Sequence, residues 1–257
     1  MGLINRRKST GIGGNGLWAW GMVFLALGAF GQGILQGRVL GLAGASSEQM
    51  LEIMNTSGSA VALTGVSLAL QALETCAAPI FALLLVEEGL NAANWKQDII
   101  WILGLAVVTE IPYNLAVSAA ALVPGSLNPV FAVALCRVLL LFYQHFSGKS
   151  WGNRLVKAAV TIAAILWAQL LSISYGTPMV VLTWVMWLMS RRPNFRGFVG
   201  AAAAALCAFF SPFFLASPMG CLPVHLYNGQ PSTAPKAVRY LIYPAILLII
   251  FLAGMLI

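Results

Sequence analysis

Long runs of apolar residues separated by short polar segments dominate the chain. Several runs hold about 18 or more residues without a charge, the length at which a helix can cross a bilayer. They do not alternate apolar and polar residues, as the strands of a membrane barrel do. The pattern predicts an all-α, polytopic helical membrane protein of about eight transmembrane helices, at 17–36, 59–86, 97–119, 128–146, 153–173, 175–190, 197–217 and 237–257.

Two of these predicted spans have unusual lengths. Residues 59–86 are long enough to tilt strongly, or to break near Pro79, since proline disturbs helices. Residues 175–190 are short, which favours a re-entrant segment or a hairpin with the preceding span. The chain then divides into a basic N-terminal tail, 1–16, and a single integral membrane helical domain, 17–257.

Charge is scarce in the sequence: 60% of the 257 residues are hydrophobic, 8% are charged, and the net charge is +7. Basic residues of membrane proteins concentrate in cytoplasmic loops. We therefore expect a cytoplasmic N-terminus, which places most basic clusters inside but places Lys236 and Arg239 outside, against the pattern. The basic residues form no face with interleaved aromatics, so nucleic acid is not an expected partner, whereas the lipid bilayer is.

Familiar soluble motifs do not account for the sequence. The segment "GIGGNG" (11–16) matches a dinucleotide-binding pattern, but no strand precedes it, which indicates a chance match in a flexible tail. His145 and His225 lie far apart and the four cysteines are scattered, so no metal site is predicted.

Charged residues inside spans are costly and are therefore candidates for function. Glu74, Glu110 and Arg137 lie deepest in the predicted spans. In the simplest interpretation they only hold helices together, with Arg137 balancing Glu110 from the adjacent helix.

The stretch around Glu110 carries the strongest indication of a polar pocket. Glu110 and Asn114 are one helical turn apart and share a face, while Pro112 removes a backbone donor between them. A carboxylate there could act as a base or bind an amine, and an amide could stabilise an oxyanion. Further polar residues stand at span ends, where each is also an ordinary turn residue: Asn128, Tyr175, Tyr227 and Asn228.

Several fragments, in this order, resemble the TraX family, membrane proteins named for the acetylation of conjugative pilin. The similarity spans roughly residues 60–257 and is carried by "APIFALLLVEEGLNAAN" (78–94), "EIPYNLA" (110–116), "LNPVF" (127–131), "SYGTPMVVL" (174–182), "LYNGQ" (226–230) and "RYLIYPAILLIIFL" (239–252).

The resemblance implies a multi-pass protein of the bacterial cytoplasmic (inner) membrane that transfers an acetyl group from acetyl-coenzyme A. The acceptor would be an amine or hydroxyl, on a protein or a glycan. Candidate catalytic residues are Glu110 as base, with Asn114 and Asn128 as oxyanion donors, in a polar cavity near the outer halves of the spans. Candidates for binding substrate or cofactor are Glu87, Arg137, Tyr175, Tyr227 and Asn228.

The sequence also departs from the TraX pattern. The first span lacks the usual Asp-His pair, Ser174 replaces an aspartate, and Ala245 stands where a histidine is expected. Histidine is the usual base in acyl transfer, so its absence argues against acyltransferase activity. Two alternatives therefore stand beside acyl transfer: a catalytically degenerate scaffold or binding protein, and a small-solute transporter with Glu110 and Arg137 as midplane charges.

Overall fold

The computed structural model describes residues 10–42, 58–91, 95–118, 120, 123, 126–148 and 150–257. Within these ranges the chain is helical and forms no strand, only isolated bridges, which confirms the all-α prediction. The α-helices are α1 (Gly14–Phe30), α2 (Gly58–Glu74), α3 (Ala77–Asn91), α4 (Trp95–Ser118), α5 (Pro129–His145), α6 (Trp151–Leu170), α7 (Gly176–Leu188), α8 (Pro193–Leu206), α9 (Cys221–His225) and α10 (Lys236–Gly254).

Three elements among the described residues are long and apolar enough to cross a membrane by themselves. These are Gly14–Val39, in which α1 continues as a π-helix, then Gly58–Gly89, which comprises α2 and most of α3, and Lys96–Ser118. Shorter apolar helices cover Pro129–His145 and Leu241–Gly254. The chain is thus a helical membrane protein, while the number of eight crossings stays a prediction.

The predicted long second span is broken, at Thr75 and Cys76, so that α2 and α3 are separate helices. The Thr75 hydroxyl donates to the carbonyl oxygen of Phe213 at 3.1 Å, and the Cys76 thiol lies 3.1 Å from that of Ala216. The break therefore receives its contacts from a distant segment. Pro79 lies in the first turn of α3, where its missing N–H costs nothing.

The predicted span 197–217 is wrong in its second half. The α8 helix ends at Leu206, and the chain then turns through 3₁₀ segments to reach α9. Gly197 lies against His225, and Gly200 lies 3.4 Å, measured from an ideal Cβ, from the Cys221 thiol. The segment between α8 and α9 therefore returns along α8 instead of crossing to the other end of the bundle.

This return accounts for Arg239, one of the two basic residues that broke the charge pattern. Arg196, in α8, donates to Glu87 at 2.5 Å, and Arg239, in α10, pairs with Glu88. Because Glu87 and Glu88 are consecutive, both arginines lie at one end of the bundle. We call this the ion-pair end; a third pair, Arg137 with Asp98, adjoins it, since the Arg137 guanidinium lies against Gly89. Which side of the membrane this end faces stays a prediction.

Residues 11–16, predicted to be part of a flexible tail, are instead paired with the segment before α10. The Ile12 amide donates to the Leu226 carbonyl at 2.9 Å, and Ile12 accepts from the Asn228 amide at 3.0 Å. The Gly14 amide donates to Gln230 at 2.8 Å, and a side chain at Gly14 would meet the backbone there. The first helix consequently begins at Gly14, three residues before the predicted start.

Replacing Asn15 with alanine is expected to lower the free energy of unfolding by about 1 kcal/mol. The Asn15 Oδ1 accepts from the Ser232 hydroxyl at 2.6 Å and from the amides of Thr233 and Ala234, so it fastens α1 to the start of α10. The expected loss of unfolding free energy is small because these groups are exposed and water replaces the lost hydrogen bonds. Thermal unfolding in a fixed detergent tests it; an unchanged transition would show that the segment adds no stability.

The most enclosed elements are α3 and α7, which pack on each other in the larger of two apolar clusters. Most residues of α7 are buried, so this short helix is surrounded by protein. It follows α6 through a tight turn in which Ser172 and Tyr175 adopt left-handed backbone conformations, with φ of 48° and 58°. That turn fixes Tyr175 at the start of α7.

Candidate functional site

The first predicted polar cluster, around Glu110, is brought together as expected. The Asn114 amide donates to Glu110 Oε1 at 3.1 Å, and the Asn128 side-chain amide donates to Glu110 Oε2 at 2.6 Å. Asn128 also accepts from the Val130 amide at 2.9 Å, which caps the start of α5. Because these bonds join Asn128, at the start of α5, to Glu110 of α4, the cluster holds α5 against α4.

This cluster is connected to the Tyr175 turn. Leu127, next to Asn128, donates to the Ser172 carbonyl at 3.2 Å and accepts from the Ser174 amide at 2.9 Å. The Ser174 hydroxyl lies 3.3 Å from the Tyr113 hydroxyl. Two of the fragments on which the TraX resemblance rests contain "EIPYN" and "SYGTP". They thus meet at one end of the bundle through the segment before α5.

Arg137 does not balance Glu110, so that expectation was wrong. It is buried and pairs with Asp98 at 3.3 Å. Arg137 lies nine residues along α5 from Asn128, which at the helical rise is about 13 Å away. The transporter hypothesis used these two residues as a midplane pair, and the structure places them in separate clusters.

Glu87, Tyr227 and Asn228 lie together at the ion-pair end. The Arg196 guanidinium that pairs with Glu87 lies 5.5 Å from the centre of the Tyr227 ring. The Tyr227 hydroxyl donates to the Gln230 carbonyl at 3.1 Å, and Asn228 accepts from the Gln230 amide at 2.9 Å. These side chains shape the loop that receives residues 11–16.

A cavity of about 150 Å³ lies between α3 and the helices around it. Its α3 wall is one helical face about 16 Å long, formed by Ala77, Ala78, Phe81, Leu84, Leu85 and Glu88. Other helices contribute mainly apolar side chains, and polar groups stand at the ends of the cavity. We call it the α3 cavity.

Tyr175 is the predicted site residue that lines the α3 cavity. The remaining predicted residues lie outside its wall: Glu87, Glu110, Asn114, Asn128, Arg137, Tyr227 and Asn228. The polar residues that do line it alongside Tyr175, and that the motifs missed as a group, are Glu74, Thr75, Glu88, Arg239 and Tyr243.

Glu74 is the buried acid of this cavity. Its residue is 5% exposed, the Tyr175 hydroxyl lies beside its carboxyl, and Gly28 of α1 packs directly on it. Tyr113 and Tyr243 lie near enough to interact with it electrostatically. Among the described residues no cation contacts Glu74. A buried acid without a cation is costly and is typical of a functional group.

Comparison with known proteins gives one finding and two negative results. The family model described as TraX protein matches residues 48–253. No curated protein and no solved structure matches significantly. The matched range runs from before α2 almost to the end of α10, so it contains the break at Thr75 and most of the cavity wall. Since the match covers most of the sequence, the chain belongs to the TraX family.

Proposed function

We propose that this protein is a membrane acyltransferase whose reaction takes place at Glu74 and Tyr175, on the wall of the α3 cavity. One observation carries the proposal: a buried carboxyl beside a phenol, with no cation against it among the described residues, borders an apolar cavity. Low polarity around such a pair strengthens its electrostatic action on a reacting group. The acetyl donor is acetyl-coenzyme A, and the acceptor is an amine or a hydroxyl.

The chemistry assigns one step to each group. Glu74, as the carboxylate, accepts the proton of the acceptor while the acceptor attacks the thioester carbonyl carbon. The Tyr175 hydroxyl donates a hydrogen bond to the oxyanion that forms there. The carbon–sulfur bond then breaks, and the proton passes from Glu74 to the departing coenzyme A thiolate. Base catalysis of this kind contributes about 10²–10⁴ in rate.

Glu74 suits the base better than Glu110, which the sequence favoured. Both oxygens of Glu110 accept hydrogen bonds from asparagine groups, and Glu110 does not line the cavity. Its role in the proposal is positional: Asn128 caps α5, whose first residues, Pro129 and Val130, form part of the cavity wall.

Replacing Glu74 with glutamine is expected to lower acetyl transfer by about 100-fold or more, because the base is lost while size is kept. Nanodiscs containing the protein are incubated with acetyl-labelled acetyl-coenzyme A and a bacterial membrane fraction, and label in protein, lipid and glycan is counted. Ser67→Ala is the matched control, since Ser67 lies in the same helix and donates to the Gly31 carbonyl at 2.8 Å without lining the cavity. Undiminished transfer by Glu74→Gln, or none by the unaltered protein, contradicts the proposal.

The second candidate is a binding protein without chemistry. It is favoured by the missing family histidines and by the asparagine amides that occupy both carboxylate oxygens of Glu110. Ligand at about 100 times its Kd stabilises a protein by about 2.7 kcal/mol, which thermal unfolding detects. Stabilisation by coenzyme A together with absent transfer would favour this candidate over the enzyme.

A further inference from the structure

We infer that the α3 cavity holds an amphiphile with one hydrocarbon chain and an anionic group, and that Arg239 binds the anionic group. The inference rests on the proposed function only in using the same cavity. It names a class of ligand that the TraX match does not supply.

Arg239 provides the anchoring group. Its side chain lines the cavity and is 9% exposed, and its Nη1 donates to Glu88. Its Nε is buried and has no hydrogen-bond partner among the described residues. A guanidinium presents several donors in a fork that fits a carboxylate or phosphate, so it can hold Glu88 and a second acid together.

Arg239 differs from the other buried arginines in its position on the cavity wall. Arg137 and Arg196 also carry a buried nitrogen without a described partner, but neither lines the cavity. The Glu88 side chain is 40% exposed, whereas the Arg239 side chain is 9% exposed. An acid that enters the cavity meets Arg239 where its side chain lines the wall, beside the pair with Glu88.

The wall beyond Arg239 selects the rest of the ligand. From Leu85 back to Ala77 the α3 face is wholly apolar, and α1 adds Trp18 and Met22 opposite it. An extended peptide would bring amide groups that this wall cannot hydrogen-bond, whereas a hydrocarbon chain brings none. The wall is about 16 Å long, so it accommodates a single medium-length chain.

Trp18 makes the inference measurable, because it lines the cavity. Fatty acid brominated along its chain is added to the protein in phosphatidylcholine nanodiscs, and quenching of tryptophan fluorescence is recorded. The expected result is a saturable component that is absent in Trp18→Phe, since the other tryptophans report only partition into the bilayer. Brominated lysophosphatidic acid and a brominated fatty alcohol are measured in parallel.

Arg239→Gln is expected to weaken saturable binding of the acids at least tenfold and to leave the alcohol's weaker binding unchanged. Arg196→Gln, the matched control, retains binding, and Arg239→Lys recovers part of it if the Gln variant does not fold. Preference for the fatty acid or for lysophosphatidic acid identifies the anionic group as carboxylate or phosphate, and either supports the inference.

Three outcomes would overturn it: equal affinity in the unaltered protein and Arg239→Gln, equal affinity for acid and alcohol, or saturable quenching that persists in Trp18→Phe. Failure of this inference can be told apart from failure of the proposed function. Transfer by Glu74→Gln tests the proposed function, whereas amphiphile binding by Arg239→Gln tests this inference whatever the outcome for transfer.

Discussion

Replacing Asn128 with leucine is expected to lower the free energy of unfolding by about 3 kcal/mol. Asn128 is fully buried, and its amide donates both to the Ala106 carbonyl, at 2.8 Å, and to Glu110. Leucine keeps the branched shape but leaves the Glu110 carboxylate without its shortest hydrogen bond and α5 without its cap. The loss thus combines a capping bond with a bond to a charged group.

Reversible unfolding in mixed micelles measures the effect, and Ser150→Ala is the matched control. Ser150 caps α6 through a bond to the Asn153 amide at 3.3 Å, but it is exposed, so only about 1 kcal/mol is expected there. A double-mutant cycle with Glu110→Gln should give strongly non-additive losses, because the two side chains are in contact. Additive losses, or equal effects at Asn128 and Ser150, would show that the buried cluster is not a unit.

Part of this cluster could be predicted from sequence, because it depends on local geometry. Glu110 and Asn114 are four residues apart on one helix, which places them on one face, and they are hydrogen-bonded. Asn128 stands before a proline, the usual arrangement at the start of a helix. Such neighbours are fixed by the helical period and need no knowledge of the fold.

The α3 cavity could not be predicted in this way. Glu74 meets Tyr175 and Gly28 only because α2 stops at Thr75 and packs on α1, and these contacts join residues far apart in sequence. Glu74 was visible as a buried charge, but no spacing connected it to a partner. Hydrophobic periodicity places residues on a helix face and does not say which helices share a cavity.

The return between α8 and α9 was hidden for a different reason. A segment that turns back inside a bundle is as apolar as one that crosses, so hydropathy does not distinguish them. The available signal was Pro212 and Pro218 within and just after the predicted span, together with the misplaced charge of Arg239. Together these signals favour an interrupted helix. The pairs Glu87–Arg196 and Glu88–Arg239 place both arginines at the same end of the bundle.

Replacing Gly28 with alanine is expected to destabilise the protein by about 2 kcal/mol, as overpacking does in a close interface. A Cβ at Gly28 would overlap the Cβ and carboxyl of Glu74, so α1 and α2 would have to separate. The same shift moves Glu74 away from Tyr175, and acetyl transfer should fall along with stability.

Gly65→Ala is the control that isolates the contact. Gly65 lies within α2 with open space around it, and alanine there should be neutral or stabilising by up to about 1 kcal/mol, since glycine weakens helices. Glu74→Ala in the Gly28→Ala background removes the overlapping carboxyl and should recover part of the stability while leaving transfer lost. Recovery of stability without recovery of transfer would separate the packing role of Glu74 from its chemical role. If the role of Glu74 were purely structural, the double variant would regain stability and transfer together. Unfolding and transfer measured on the same nanodisc preparations decide between them.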